Sequence, residues 1–207
     1  MPPSPLATVF IVDDDPAVLK SLARLLRSAR LDVATFNSPR EFLERHDPSA
    51  PGCLVLDVAM PGLNGLELQE ALAAKGSEVP IIFLTGHGDI PMSVQAMKRG
   101  ALDFLTKPVN DEDLLKAVHV AIEKDRLQRQ TRAEVAEIEQ RLATLTPRER
   151  EVMEHVISGQ LNKQTAADLG TVEKTIKVHR ARVMEKMKVQ SVAELVRLAE
   201  RVGMRGK

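Results

Sequence analysis

The stretch that most constrains this chain is Cys53-Leu54-Val55-Leu56-Asp57. Its apolar run has no helical period and is long enough for a strand buried in a sheet. A carboxylate closes the run. Residues 58–65 follow as V-A-M-P-G-L-N-G, and the Pro and Gly content marks a loop. Open α/β sheets place their ligands outside the carboxyl ends of the strands. Asp57 stands at such an end.

The residues around this stretch repeat its pattern. Thr8 to Val12 is a β-branched and apolar run, ended by Asp13-Asp14-Asp15-Pro16. Asp15 suits a helix N-cap with Pro16 at the first helical position, which leaves Asp13 and Asp14 without a capping role. Val18, Leu22, Leu25, Leu26 and Ala29 then recur at helical spacing. Residues 33–36 form a second strand, and Ser38-Pro39-Arg40-Glu41 is a capping box opening a helix with Phe42 and Leu43. Beyond Asp57, Leu66, Leu68 and Leu72 mark a third helix. Residues 81–84 form a fourth strand closed by the turn Thr85-Gly86-His87-Gly88. Val94, Met97 and Lys98 belong to a helix stopped by Gly100. Residues 101–105 read as a fifth strand ended by Thr106-Lys107-Pro108. Asn110 or Asp111 starts a fifth helix through Leu114, Leu115, Val118 and Ile122.

Five strands alternating with five helices imply a parallel sheet covered on both faces. We expect a flavodoxin-like doubly wound (βα)5 fold with strand order 2-1-3-4-5. One edge of that sheet collects Asp13 and Asp14 from strand 1, Asp57 from strand 3, Thr85 from strand 4 and Lys107 from strand 5. Three carboxylates repel one another unless a cation sits among them. Hard oxygen ligands with open positions suit Mg²⁺, which also takes phosphate oxygens. The Thr85 hydroxyl and the Lys107 ammonium can hold further phosphate oxygens. The constellation needs no Ser, Cys or His nucleophile, and its simplest chemistry is phosphoryl transfer to Asp57.

Charge divides the chain. Residues 1–124 carry 12 Lys+Arg against 17 Asp+Glu, residues 125–144 carry 4 of each, and residues 145–207 carry 13 against 8. An acidic half joined to a basic half suits a regulatory domain on a nucleic-acid binder. Phe10, Phe36, Phe42, Phe83 and Phe104 all lie in the acidic half, so base stacking on aromatic platforms is excluded in the basic one. Cys53, the single cysteine, sits in an apolar run as a packing thiol. No apolar stretch reaches membrane-spanning length and the start lacks a signal-peptide pattern, so a cytoplasmic location without membrane contact is expected.

From Asp111 to about Ala143 no Pro or Gly interrupts the chain. Leu127, Val135, Ile138 and Leu142 are sparse among polar residues. This reads as one long helix or two nearly joined, with residues 125–143 a solvated linker or a short dimer-forming coil. In the basic half, Thr146-Pro147-Arg148-Glu149 is another capping box, with Val152, Val156 and Ile157 apolar behind it. Asn162 is expected to cap a second helix bearing Ala166, Ala167 and Leu169, stopped by Gly170. Thr171 is expected to cap a third with Val172, Ile176, Val183 and Met187 inward. Ser191 and Glu194 cap a fourth with Val192, Leu195 and Leu198 inward. Short helices meeting at Gly170, the later one rich in Lys and Arg, form a helix-turn-helix pattern. The outward face of that third helix carries Lys174, Lys177, Val178, Ala181, Arg182 and Glu185. Val178 suits a thymine methyl and Lys177 a guanine edge in the major groove. Lys174, Thr175, Arg182 and Lys186 suit phosphates.

The strings V-D-D-D-P, C-L-V-L-D-V-A-M-P-G-L-N-G, L-T-G-H-G-D and D-F-L-T-K-P resemble the receiver domain of two-component response regulators, over residues 6–124. L-T-P-R-E-R-E-V, N-K-Q-T-A-A-D-L-G and E-K-T-I-K-V-H-R-A-R-V-M-E-K-M resemble the four-helix LuxR-type DNA-binding domain, over residues 144–203; together the two resemble the FixJ branch of the FixJ/NarL family. The resemblance implies phosphorylation of Asp57 by a sensor histidine kinase. It implies Mg²⁺ held by Asp13, Asp14, Asp57 and the backbone carbonyl of Ala59. Lys107, before a cis peptide to Pro108, would pair with the phosphoryl group, and Thr85 and Phe104 would be the switch pair. The third helix of the basic half would enter the major groove, and the fourth would support dimerisation. Asn64 stands where many relatives have Asp, in a loop outside the ligand set, and phosphorylation is expected to survive it. Ala59, His87 and Gly88 flank the site, where side chains can tune the lifetime of the phosphoryl group. His179, in the V-H-R string, is expected to pack or to lie beside phosphate.

The expected protein is therefore a receiver (1–124), a helical linker (125–143) and a helix-turn-helix domain (144–207). It would bind double-stranded DNA as a homodimer on phosphorylation and would catalyse only its own phosphoryl transfer and hydrolysis. Two rivals are weighed beside it. A Mg²⁺-dependent phosphatase would need a second carboxylate as general acid and a substrate cap, and no insertion is long enough for a cap. A signalling adaptor would use its basic half on protein and bind duplex DNA hardly at all.

Overall fold

The structure, a computed structural model, describes residues 7–86, 90–204 and 206. The chain divides into two compact units, Met1–Arg129 and Gln130–Lys207. In the first, β1 (Thr8–Val12), β2 (Asp32–Phe36), β3 (Gly52–Asp57), β4 (Ile81–Thr85) and β5 (Asp103–Thr106) alternate with helices. These are α1 (Pro16–Ser28), α2 (Pro39–Arg45), α3 (Gly65–Ala74), α4 (Ile90–Lys98) and α5 (Asp111–Ala143). The strands form one parallel sheet in the order β2-β1-β3-β4-β5.

The period of two along each strand sorts the core into two layers. Phe10, Val12, Leu54, Leu56 and Phe83 face one way and meet Phe42, Leu68, Leu72 and Ala96. Val9, Ile11, Cys53, Val55, Ile82 and Leu84 face the other way and meet Leu22, Leu26, Leu114 and Val118. Cys53 is wholly buried, and burial pushes its thiol up to about 12, so it packs as an un-ionised group.

Local signals set most boundaries. Asp15 caps α1 through the Ala17 N–H, with Pro16 behind it. Asp13 is not idle, because its Oδ1 accepts the Asp15 N–H at 2.9 Å. Ser38 caps α2 as expected, yet the Glu41 carboxylate reaches the N–H of Asn37 and not that of Ser38. β5 starts two residues later than expected. The Ala101 N–H closes α4 on the Ala96 carbonyl, and only the Leu102 N–H turns to the sheet, donating to Ile81.

The second unit is helical, with α6 (Pro147–Ile157), α7 (Asn162–Asp168), α8 (Glu173–Lys186) and α9 (Val192–Arg201). Its core joins Val152, Met153, Val156, Ile176, Val183, Met187 and Leu195, with Ile138 and Leu142 from the end of α5. Thr146 and Glu149 form the reciprocal capping box of α6. Two expected caps fail for identifiable reasons. Asn162 is the first residue of α7, not its cap, and its Oδ1 accepts from Arg180 of α8. Thr171 spends its N–H closing α7 on Ala166, so Val172 takes the cap position of α8. Val172 consequently stands 65% exposed and does not enter the core.

Candidate functional site

The carboxyl edge of the sheet brings together residues far apart in sequence. β3 delivers Asp57, β1 delivers Asp13 and Asp14, and the segment after β5 delivers Lys107 across the cis peptide to Pro108. The carboxylates of Asp13, Asp14 and Asp57 each offer an oxygen within 4.8 Å of the others. Lys107 Nζ lies 2.6 Å from Asp13 Oδ2 and 2.8 Å from Asp57 Oδ1. Asp13 and Asp57 are buried, and Asp14 is exposed.

Burial pushes the Asp57 carboxyl above its ordinary value; Lys107 pulls against this, and Asp13 and Asp14 add to it. Burial draws the Lys107 ammonium down, but its bonds to Asp13 and Asp57 outweigh that and leave it raised. Three carboxylates against one ammonium leave the cluster with two negative charges in excess. The structure thus collects acceptor oxygens and negative charge where a hard cation would be most favourable.

Thr85 is buried at the end of β4, and its carbonyl accepts the Lys107 N–H at 2.6 Å. Phe104, one strand over, is half-buried, with its ring centroid 6.1 Å from that of Phe83. It therefore packs against the core while keeping an exposed side. Ala59 is exposed in the loop after β3. His87 and Gly88 lie outside the described residues.

Two residues at the start of α3 matter more than expected. Asn64 is the N-cap of α3, with a reciprocal box to Glu67. The Asn64-x-x-Glu67 spacing ahead of Leu68 was the available signal. Gly65 is buried hard against the acidic residue: a Cβ there would sit 2.4 Å from the Asp57 carbonyl oxygen and 3.1 Å from the Phe83 ring. No local pattern announces that requirement, because it comes from the approach of two segments.

In the second unit, α8 exposes Lys174, Lys177, Val178, Ala181, Arg182 and Glu185, as the periodicity predicts, with Thr175 half-buried. Val178 is 46% exposed, an apolar side chain among cations. Lys177 also pairs with Glu173 one turn earlier, at 3.1 Å on the surface. His179 is half-buried and its Nδ1 has no partner among the described residues. Lys186 departs from expectation. Its Nζ donates to Glu149 Oε2 at 2.6 Å and to the Thr144 carbonyl at 2.9 Å, so its charge is spent inside the unit. The signal was obscured because Glu149 lies 37 residues away.

Comparison with known proteins agrees with both halves. Residues 9–119 match the response regulator receiver domain, and residues 143–199 match the bacterial regulatory proteins of the luxR family. The chain belongs to the response regulators. Nodulation protein W of Bradyrhizobium diazoefficiens is 50% identical over 198 residues, which span 96% of this chain and 87% of that protein. The transcriptional regulatory protein FixJ of Azorhizobium caulinodans is 44% identical over 196 residues, 95% of this chain and 93% of that one. The solved structure of the response regulator StyR superposes with a TM-score of 0.87 at 47% identity, covering 95% and 99% of the two chains. This response regulator thus joins a receiver to a LuxR-family DNA-binding domain and acts in transcriptional control. Among the described residues, no helix is long and apolar enough to cross a membrane.

Proposed function

We propose that this response regulator takes a phosphoryl group on Asp57 from a sensor histidine kinase and thereby gains affinity for duplex DNA. The observation that carries the reading is the Lys107 ammonium held between Asp13 and Asp57 at the sheet edge, with Asp14 beside them. The donor set fits Mg²⁺, which Asp13, Asp14, Asp57 and the Ala59 carbonyl would hold. When bound, the ion supplies the missing positive charge and open positions for phosphoryl oxygens.

The chain's own residues account for the rest. An Asp57 carboxylate oxygen attacks phosphorus, a P–O bond forms, and the P–N bond of the kinase phosphohistidine breaks with its electron pair returning to the imidazole. Lys107 donates to a phosphoryl oxygen and neutralises part of its charge. The Thr85 hydroxyl turns to another oxygen and vacates space that the half-exposed Phe104 ring fills. Hydrolysis of the acyl phosphate at the same site resets the protein, which has no other substrate. In this reading residues 1–124 are the receiver, 125–143 a helical linker and 144–207 the DNA-binding domain, all working in the cytoplasm.

On the DNA side, Lys177, Val178 and Ala181 of α8 read base edges, while Lys174, Thr175 and Arg182 meet phosphates. Phosphorylation favours a homodimer on paired half-sites. The test is duplex binding by the full chain with Mg²⁺, with and without a small-molecule phosphodonor, on a duplex selected from a random pool. Wild type should bind tighter and sediment as a dimer with donor, and Asp57→Ala should do neither. Equal affinity of the two with Asp57 demonstrably phosphorylated in wild type would refute the reading, and steady turnover of a phosphomonoester would favour a phosphatase instead. Lys174→Ala should reduce the salt slope of binding by about one, the loss of one phosphate contact.

A further inference from the structure

The edge of the sheet opposite Asp57 carries an ion pair, a buried carboxylate with a half-buried guanidinium, that the phosphorylation chemistry does not use. Asp125 of α5 is 2% exposed. Its Oδ2 accepts the Gly52 N–H at 2.9 Å. Arg129, one turn on, donates from Nε to both oxygens of Asp125, at 2.9 and 2.7 Å. The remaining guanidinium nitrogens donate to the carbonyls of Ser49 and Ala50, each at 2.7 Å. Apart from the bonds that join the pair, its side-chain hydrogen bonds among the described residues end on residues 49–52, at the lead-in to β3.

That lead-in has no room to slide. A Cβ at Gly52 would lie 1.8 Å from the Thr8 carbonyl oxygen, so β1 backbone closes against it. From Gly52 the strand runs buried to Asp57, a span of about 16 Å. The ion pair therefore grips one end of the strand whose other end bears the phosphoacceptor. Arg129 is also the last residue of the first unit along the chain. Adhesion alone would be served as well by apolar side chains, because desolvation of the buried Asp125 carboxylate offsets much of the attraction. What the three directional bonds to residues 49–52 add is a defined register between helix and strand.

We propose that Asp125 and Arg129 are positioning residues: they lock the middle of α5 to the start of β3, so that phosphorylation of Asp57 alters DNA affinity through this lock. The proposal rests on the phosphorylation reading above. It makes the lock a requirement for coupling, not for the chemistry at Asp57 or for the DNA contacts of α8.

The experiment uses the full chain with Mg²⁺ and a small-molecule phosphodonor, and measures phosphoryl incorporation and duplex affinity in both states. Asp125→Asn keeps an acceptor for Gly52 and removes the charge. Arg129→Lys keeps the charge but cannot serve a carboxylate and two carbonyls together. Both variants should incorporate phosphoryl at the wild-type rate and bind duplex like wild type without donor. The gain in affinity on phosphorylation should shrink at least fivefold, the low end of ordinary coupling between sites. Should Asp125→Asn not fold, Arg129→Lys carries the test alone. A folded variant that keeps the wild-type gain, or one that loses phosphorylation itself, overturns the proposal. A wild type that is phosphorylated without any gain overturns the functional reading first, and the lock with it.

Discussion

Two lysines of this protein each meet a buried carboxylate at 2.6 Å, Lys107 on Asp13 in the receiver and Lys186 on Glu149 in the DNA-binding domain. Their surroundings send the electrostatics in opposite directions. Around Lys107 three carboxylates share one ammonium, and burial leads in holding Asp57 above its ordinary value. Around Lys186 a single carboxylate takes the ammonium and also accepts the Thr146 N–H at 2.8 Å. The Lys186 bond, with Thr146 behind it, pulls Glu149 down to about 2. The first cluster is incomplete as it stands and can be completed by a ligand. The second is complete, and what it does is hold the start of α6 to the end of α8. A lysine–carboxylate pair thus serves chemistry or architecture according to how many like charges are packed beside it.

The largest expected effect comes from breaking the complete pair. Glu149→Ala removes the ion pair and half of the capping box, and should cost the second unit about 3 kcal/mol. Denaturant unfolding followed by hydrogen exchange in α6 and α8 would measure it, and a loss below about 1 kcal/mol would contradict the argument. Lys186→Met should lower the stability of the same unit and leave the salt slope of DNA binding unchanged, because the charge of this lysine is taken up by Glu149.

Acid should act on the same contact. A carboxyl held at about 2 in the folded state, against 4.5 ordinarily, contributes stability that is fully present above about 4.5 and is lost as pH falls toward 2. Glu149→Gln should flatten the stability profile in that window, and an unchanged profile would mean that other carboxyls dominate acid unfolding.

The incomplete cluster should respond in the other direction. Replacing Asp57 by Asn removes a charge that the fold disfavours, so in buffer without divalent cations the first unit should be as stable as wild type or up to about 1 kcal/mol more stable. Thermal unfolding of both proteins decides it, and a clear destabilisation would show that the Asp57–Lys107 contact outweighs the repulsion.

The smallest effect separates the two units. His46 stacks on Phe42 at 4.5 Å and meets the edge of Phe10 at 4.6 Å, and its Nδ1 has no partner among the described residues. Burial, ahead of the nearby charges, keeps its pKa below the usual 6.5. A neutral half-buried imidazole must charge to follow the unfolded chain, so its contribution is present above about 6.5 and fades as pH falls below it. The receiver should therefore begin to lose stability at milder acidity than the DNA-binding domain. In His46→Leu that early loss should be reduced; if it is not, another group is responsible.

Much of this was legible in the residues. Asp15-Pro16, Ser38-Pro39 and Thr146-Pro147 announce helix starts because a cap is a contact within one turn. The strand order follows from alternating strands and helices together with the edge where Asp13, Asp14, Asp57, Thr85 and Lys107 had to meet. Misreadings fell where a partner outside the helical turn claims a group first. Thr171 lost its capping role to the closure of α7, and Val172 was turned outward with it. Asn162 was taken by Arg180, and Lys186 by Glu149.

By itself, the sequence determined the number and kind of elements, the faces that become core and the chemistry gathered at the sheet edge, since these depend on period and on neighbours within a turn or strand. Which charge answers which was decided only by the tertiary structure. Lys107 and Asp13 are 94 residues apart, and Asp125 reaches a backbone N–H 73 residues away. Such pairs have no local pattern. Their partners are chosen by the packing of the sheet and helices, and burial then sets how strongly each charge is felt.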